Sequence, residues 1–292
     1  MRSSTFAAVV SVLVASAPAF AQPPDAATIA RRMKAALEPE RSSTRTLLLA
    51  MGSAGGGATD PTNRQKEVRE ELGQGARAAD GSTTEWTARQ ALKKLPDGNR
   101  ILTVILAPDE VKGVAFLVWE RTDKPDAEWL YLPAVRRVRK IGPVSAYESF
   151  LGTDFTFADL GFVNLRDRKF SLLGEETFAG VPAYKVQEVM AGPVFYYSRI
   201  VTWVAKDSML PLQRDYYDAA NQLWKTERFQ DVAVIDGTPT VLRIRMEDRI
   251  SDTSTELRVS KVRYDAVIPD ELFDPQKLPQ VSKHPLWTQA AP

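Results

Sequence analysis

From residue 84 to residue 264 the chain repeats one unit, a short run of alternating apolar and polar side chains followed by a tight turn. Successive strand side chains point to opposite faces, so period-two alternation gives one buried and one wet face. Tight turns make the neighbours antiparallel. Runs of this kind fall at 85–92, 100–106, 113–120, 129–132, 170–173, 183–190, 196–205, 212–217, 223–235, 240–249 and 255–264. In Leu242-Arg-Ile-Arg-Met246 the apolar and basic residues face opposite ways. The turns are marked by Asp97-Gly98, Phe178-Ala-Gly180, Lys206-Asp-Ser208 and Asp236-Gly237. A chain of about a dozen such strands is expected to form one large, curved or barrel-like antiparallel sheet. No composition break marks a second domain, so a single domain over 22–280 with a tail at 281–292 is expected.

Other segments frame this sheet. Asp25 is a good helix N-cap, and Ile29, Met33 and Leu37 recur at spacing four until Pro39, which predicts one amphipathic helix lying on the sheet. Residues 44–50 read as a strand leaving it. The Gly/Ala-rich segment 52–60 reads as a flexible loop, and 64–72 is ambiguous between helix and exposed strand. After Ile268 the chain is Pro-rich and is expected along the surface. At the other end, Arg2, an apolar core over 6–14 and Ala19-Phe-Ala21 have the form of a secretory signal over 1–21, cleaved before Gln22. That core is shorter than the about 20 residues needed to span a bilayer. The expected location is the periplasm, without lipidation, because Gln22 and not Cys follows the cleavage site.

Composition excludes several classes of function. With 38 basic and 37 acidic residues the chain is not a general nucleic-acid or membrane-surface binder. It has no cysteine, hence no disulfide framework or thiol nucleophile, and its one histidine, His284, stands beside Lys283 and Pro285. Ser145, Ser149 and Ser198 have no nearby histidine to activate them. Asp154 and Asp159, five positions apart, read as turn caps, and Thr156 with Asp159 as a capping box closed by Gly161. No cofactor or metal site is expected, and no enzyme activity.

One stretch, 129–160, differs in character. The apolar run Trp129-Leu-Tyr-Leu132 stops at Pro133 and empties into a loop carrying Arg136, Arg137, Arg139 and Lys140. Phe150, Gly152, Phe155 and Phe157 follow. The cations read either as a solvated edge or as a docking surface for lipid phosphates or a protein partner. The aromatics read as core or as the wall of an apolar pocket.

These residues carry a resemblance. WLYLP, RRVRK, SFLGTDFTFADL and YSRIVTWVAKDSMLPLQRDYYDAANQLWKTERFQD resemble the periplasmic outer-membrane lipoprotein-sorting proteins, relatives of the lipoprotein carrier LolA. The resemblance implies an α+β fold, mainly β: a strongly curved antiparallel sheet forming an incomplete β-barrel, covered by helices, with lipid or acyl chains in its apolar hollow. It implies a monomeric carrier of lipid or lipoprotein acyl chains, with an inner-membrane exporter or outer-membrane receptor as partner and no nucleic acid. A sensor of the same fold that signals to a membrane protein is the alternative, and a cell-envelope hydrolase is a remote one. Arg199 should avoid an apolar hollow, since an unpaired buried charge is costly. That places Ile200 and Val204 on the concave face, opposite Val201, with Tyr197 on the convex side. Phe116, Val118, Leu130 and Leu132 join the concave set.

Overall fold

The computed structural model describes residues 24–53, 84–163, 165–190 and 197–288. The signal segment, residues 54–60 of the Gly/Ala-rich loop, the charged stretch 64–72 and the last four residues lie outside these. Helix α1 (Ala26–Leu37) starts where its cap is written: the Thr28 amide donates to Asp25 Oδ1 at 2.8 Å. Its stripe of Ile29, Ala30 and Met33 is buried. Among the described residues no helix is long and apolar enough to cross a membrane.

All the described strands belong to one antiparallel sheet. They are β1 (Ser43–Ser53), β2 (Thr84–Lys93), β3 (Arg100–Ala107), β4 (Ala115–Trp119), β5 (Ala127–Leu132), β6 (Arg137–Ile141) and β7 (Arg168–Phe178). There follow β8 (Val181–Met190), β9 (Arg199–Ala205), β10 (Pro211–Tyr217), β11 (Leu223–Ile235), β12 (Thr238–Asp248) and β13 (Thr253–Tyr264). Their order is β6-β5-β4-β3-β2-β1-β13-β12-β11-β10-β9-β8-β7. Two meanders therefore run outward from a central pair, β1 and β13, and end on the free edges β6 and β7. The sheet does not close, and the fold is an incomplete barrel.

Alternation along each strand sorts side chains between two apolar layers. On β4, Phe116 and Val118 face the inner layer with Leu47, Leu49, Trp86, Ile101 and Leu130. Ala115 and Leu117 face the outer layer. That outer layer is closed by the C-terminal segment, whose Ile268, Leu272, Phe273, Leu278, Val281 and Trp287 are all buried. Trp119 Nε1 donates to the Phe273 carbonyl at 2.9 Å, and Arg89 to the Leu286 carbonyl at 2.9 Å. The segment is thus a packed second layer, which corrects the surface tail expected after Ile268. Its cue lay in β3: Ile-Leu-Thr-Val-Ile is buried without a break, as a strand must be when both faces are covered.

A second correction concerns residues 136–140, expected to be loop. Residues 137–140 form most of β6, paired with β5 from Leu132↔Arg137 to Glu128↔Ile141, while Arg136 (φ 51°) ends the short turn before it. An edge strand with four consecutive exposed positions carries no alternation for a pattern to detect, and its charges discourage pairing with another chain. On β9, Ile200 and Val204 face inward while Val201 and Trp203 pack outward with Ala183. Tyr197 also lies in the inner layer, against the convex side expected for it, because it precedes β9 and escapes its alternation.

Candidate functional site

Residues 142–163 follow the free edge β6 and cross the inner face toward the other free edge, β7. Within this segment α2 (Phe157–Leu160) is a single turn held by a capping box. The Asp159 amide donates to Thr156 Oγ1, and the Thr156 amide to Asp159 Oδ2 at 2.7 Å. Phe150, Phe155 and Phe157 point into the sheet, each 2% exposed or less. Phe116, Phe150 and Phe157 form a mutual cluster with ring centroids 5.3–5.6 Å apart. Gly152 (φ 81°) and Leu151 (φ 50°) turn the chain back between Phe150 and Phe155.

Polar contacts stitch this plug to the middle of the sheet. The Thr253 and Thr255 hydroxyls on β13 donate to the Asp154 carboxylate at 2.6 and 2.7 Å. Lys225 Nζ on β11, itself buried, donates to the Asp154 carbonyl at 2.8 Å. Asp154 is therefore an anchor between loop and sheet, and not the turn cap expected, while Asp159 does cap.

Beside the plug, the inner face keeps an open cavity of about 170 Å³. Its walls are Leu47 and Leu49 of β1, Leu92 of β2, Ile101 of β3, Ile244 of β12, and Leu257 and Val259 of β13. Leu37 and Glu38 close one end and Phe150 and Leu160 another. Four ionisable side chains reach this wall: Glu38, Arg45, Arg214 and Glu227; Asp159 joins them from the plug. Glu38 accepts from Lys34 Nζ at 2.6 Å and from the Val163 amide, while burial pushes its pKa up. Lys34 also donates to Glu120 Oε1 at 2.7 Å and to the Val163 carbonyl at 2.9 Å, which ties α1 to the plug.

Glu227 accepts from Tyr216 Oη at 2.6 Å and from Arg214 at 3.4 Å. Burial pushes Glu227 up, partly offset by Arg214. Burial opposes the Arg214 charge, but Glu227, Tyr216 and Glu188 together outweigh it and the net shift is upward. Arg45 is different: among the described residues its Nε has no hydrogen-bond partner, and burial pushes its pKa down. Nothing in this wall pairs a nucleophile with a base. Among the described residues no group of three His, Asp or Glu side chains could hold a metal ion.

The residues expected to line a hollow are distributed over three places. Phe116, Val118 and Leu130 are packed beneath the plug, with Leu132 partly buried at the margin of the same cluster. Ile200 borders a smaller cavity of about 80 Å³, with Tyr147, Met190 and Tyr216. Val204 lies under α1 with Ile29 and Met33. None of them borders the larger cavity; of the expected loop residues, Phe150 and Asp159 do. The larger wall was missed, though Ile244, Leu257 and Val259 were signalled by alternation in β12 and β13, and Leu47 and Leu49 lie in the apolar run of β1. Arg136, Arg137, Arg139 and Lys140 lie on the far edge of the sheet, exposed. Arg139 donates to Ser145 Oγ at 2.9 Å.

A family model described as that of an uncharacterized protein matches residues 97–280, well over half of the chain. The chain belongs to this family. Its fold is that of the LolA-like outer-membrane lipoprotein-sorting proteins. A DUF1329 family protein from Desulfovibrio piger is 26% identical, with a TM-score of 0.72 over 87% of this chain and 97% of that one. A putative outer membrane lipoprotein-sorting protein domain from Vibrio parahaemolyticus is 24% identical, with a TM-score of 0.73 over 87% and 98%. A LolA superfamily protein from Nitrosomonas europaea is 18% identical, with a TM-score of 0.64 over 86% and 98%. No curated protein matches the sequence.

Proposed function

We propose that this chain is a non-enzymatic periplasmic carrier, and that the cavity between α1, the plug and the central strands shelters an acyl chain. The observation that carries the reading is the aliphatic wall of β1, β12 and β13, left uncovered on the inner face of an open barrel. Each buried methylene contributes about 0.8 kcal/mol, so even part of an acyl chain would be held firmly. The cargo is lipid or lipoprotein acyl chains, and the working unit is a single domain over 22–280, onto which Val281 and Trp287 also pack, a monomer without nucleic acid. Phe116, Val118, Leu130 and Leu132 pack beneath the plug, Ile200 borders the smaller cavity and Val204 lies under α1, so these six support the hollow's surroundings without bordering the larger cavity.

Docking falls to the β6 edge. Arg136, Arg137 and Lys140 make no ion pair among the described residues, and Val135 and Val144, each 58% exposed, lie beside them. Cations interleaved with exposed aliphatic side chains suit an anionic bilayer surface, reached at an inner-membrane exporter or an outer-membrane receptor. The test is native mass spectrometry and lipid extraction of protein purified without detergent, followed by titration with a fluorescent fatty acid. A co-purifying lipid in near-stoichiometric amount is expected. Protein that is folded, empty and unable to take up the probe would end the carrier reading.

A further inference from the structure

Along β1 and β13 the large cavity is lined by the aliphatic side chains Leu47, Leu49, Leu257 and Val259, and Arg45 enters it from the same β1 row. Arg45 shares the strand face of Leu47 and Leu49, a cation in an otherwise apolar row. The β1–β13 register breaks between Thr44 and Thr46, and opposite the break Lys261 has φ 50°. The extra residue lies on β13, and bulges of this kind are over-represented beside binding sites. Arg45 is half-buried, its Nε is buried without a partner, and no described residue makes an ion pair or hydrogen bond with its guanidinium.

The nearby acceptors are already engaged. Glu38 is held by Lys34 and the Val163 amide, and the Tyr264 hydroxyl is bonded to Thr240 Oγ1 at 2.8 Å. Glu227 is taken by Tyr216 and Arg214, and Asp159 by the Thr156 amide and Tyr197. Arg214 also leaves Nη2 unsatisfied, but Glu227 meets its charge. Arg45 has no such counter-charge in hydrogen-bonding contact.

We propose that the cavity takes an anionic amphiphile, whose carboxylate or phosphate oxygens are bound by Arg45 while its chain lies along Leu47, Leu49, Leu257 and Val259. A guanidinium presents two parallel donors that match either head group. The proposal rests on the carrier reading and narrows its cargo: the wall would favour an acid over a neutral lipid of the same chain.

The test is competition by oleate, oleyl alcohol, oleoyl lysophosphatidate and inorganic phosphate against a fluorescent fatty acid, in the full chain and in Arg45→Met. The parent should prefer both acids over the alcohol by roughly tenfold or more, as expected for a charge-assisted bond. The tighter acid names the head group. Arg45→Met should bind acid and alcohol alike, at about the parent's affinity for the alcohol. Its thermal midpoint should be unchanged or raised, because an unpaired buried charge has been removed, whereas loss of a structural contact would lower it. Equal binding of acid and alcohol by the parent would overturn the proposal and leave the carrier reading standing. So would a preference that survives in Arg45→Met, or competition by inorganic phosphate at oleate concentrations. Failure of every amphiphile would overturn both.

Discussion

Glu128 is a carboxyl that folding removes from its ordinary range. It lies on β5, opposite Val118 on one side and Ile141 on the other. Its Oε2 is buried without a partner, and Oε1 lies near the C-terminal end of α2. Burial, with Asp126 adding repulsion, pushes its pKa up to about 7. Between the ordinary value of 4.5 and about 7 the folded chain holds a proton that the unfolded chain has lost. Stability should therefore fall as pH rises across that window and level off above it. Glu128→Gln should leave unfolding at pH 4.5 nearly unchanged and stabilise the protein by about 1–3 kcal/mol at pH 8. Urea titrations at the two pH values check this; equal effects at both would show that Glu128 ionises normally. Arg45 is the counterpart among cations. A sequence reader could have noted that it shares the parity of Leu47 and Leu49. What could not be read is that its neighbours' charges are spent elsewhere, since those contacts join α1 to the plug, β10 to β11 and β12 to β13.

At the scale of elements, the plug is held by its polar anchors as much as by its aromatics. Removing the Asp154 carboxylate takes away the acceptor shared by the buried Thr255 hydroxyl and the half-buried Thr253 hydroxyl. Asp154→Ala should destabilise by about 2–4 kcal/mol, and Thr255→Val, which leaves Thr253 in place, by about 1–2 kcal/mol. Equilibrium unfolding checks both, and an Asp154→Ala effect below that of Thr255→Val would show that the hydroxyls, not the carboxylate, hold the loop. What was legible in these elements follows from where their information lies. Asp25 and the Thr156–Asp159 box are local signals, and both helices begin as written. The hairpins also have local turns, and β11 runs over the span that alternation marks. By contrast, β6 is a strand only because β5 pairs with it. Phe170 marked the start of β7, but its exposed, charged second half continued to Phe178 unrecognised.

At the scale of the whole molecule, the inner face is one continuous apolar surface of which the plug covers a part. Alternation tells which side chains face inward; it says nothing of which inward side chains the chain covers with its own loop. Hence Phe116 and Leu130 looked as suited to cargo as Leu49 and Leu257 are. The remaining cavity of about 170 Å³ is smaller than the roughly 300–1,000 Å³ typical of small-molecule pockets, so a full acyl chain requires a wall to move. The plug is tied down by Asp154, Lys225 and three buried phenylalanines. The C-terminal end of α1 is tied mainly through Lys34, a half-buried cation shared among Glu38, Glu120 and the Val163 carbonyl. The weaker fastening is at α1, so this end should swing outward when cargo enters. Hydrogen exchange with and without saturating oleate should show altered protection over 30–38, with 148–157 slow in both states. Lys34→Met should speed entry of a fluorescent fatty acid about three- to tenfold, about 1 kcal/mol, the size expected for ion pairs that keep some access to water. If residues 148–157 lose protection while 30–38 stay unchanged, the plug is the moving part and α1 a fixed wall.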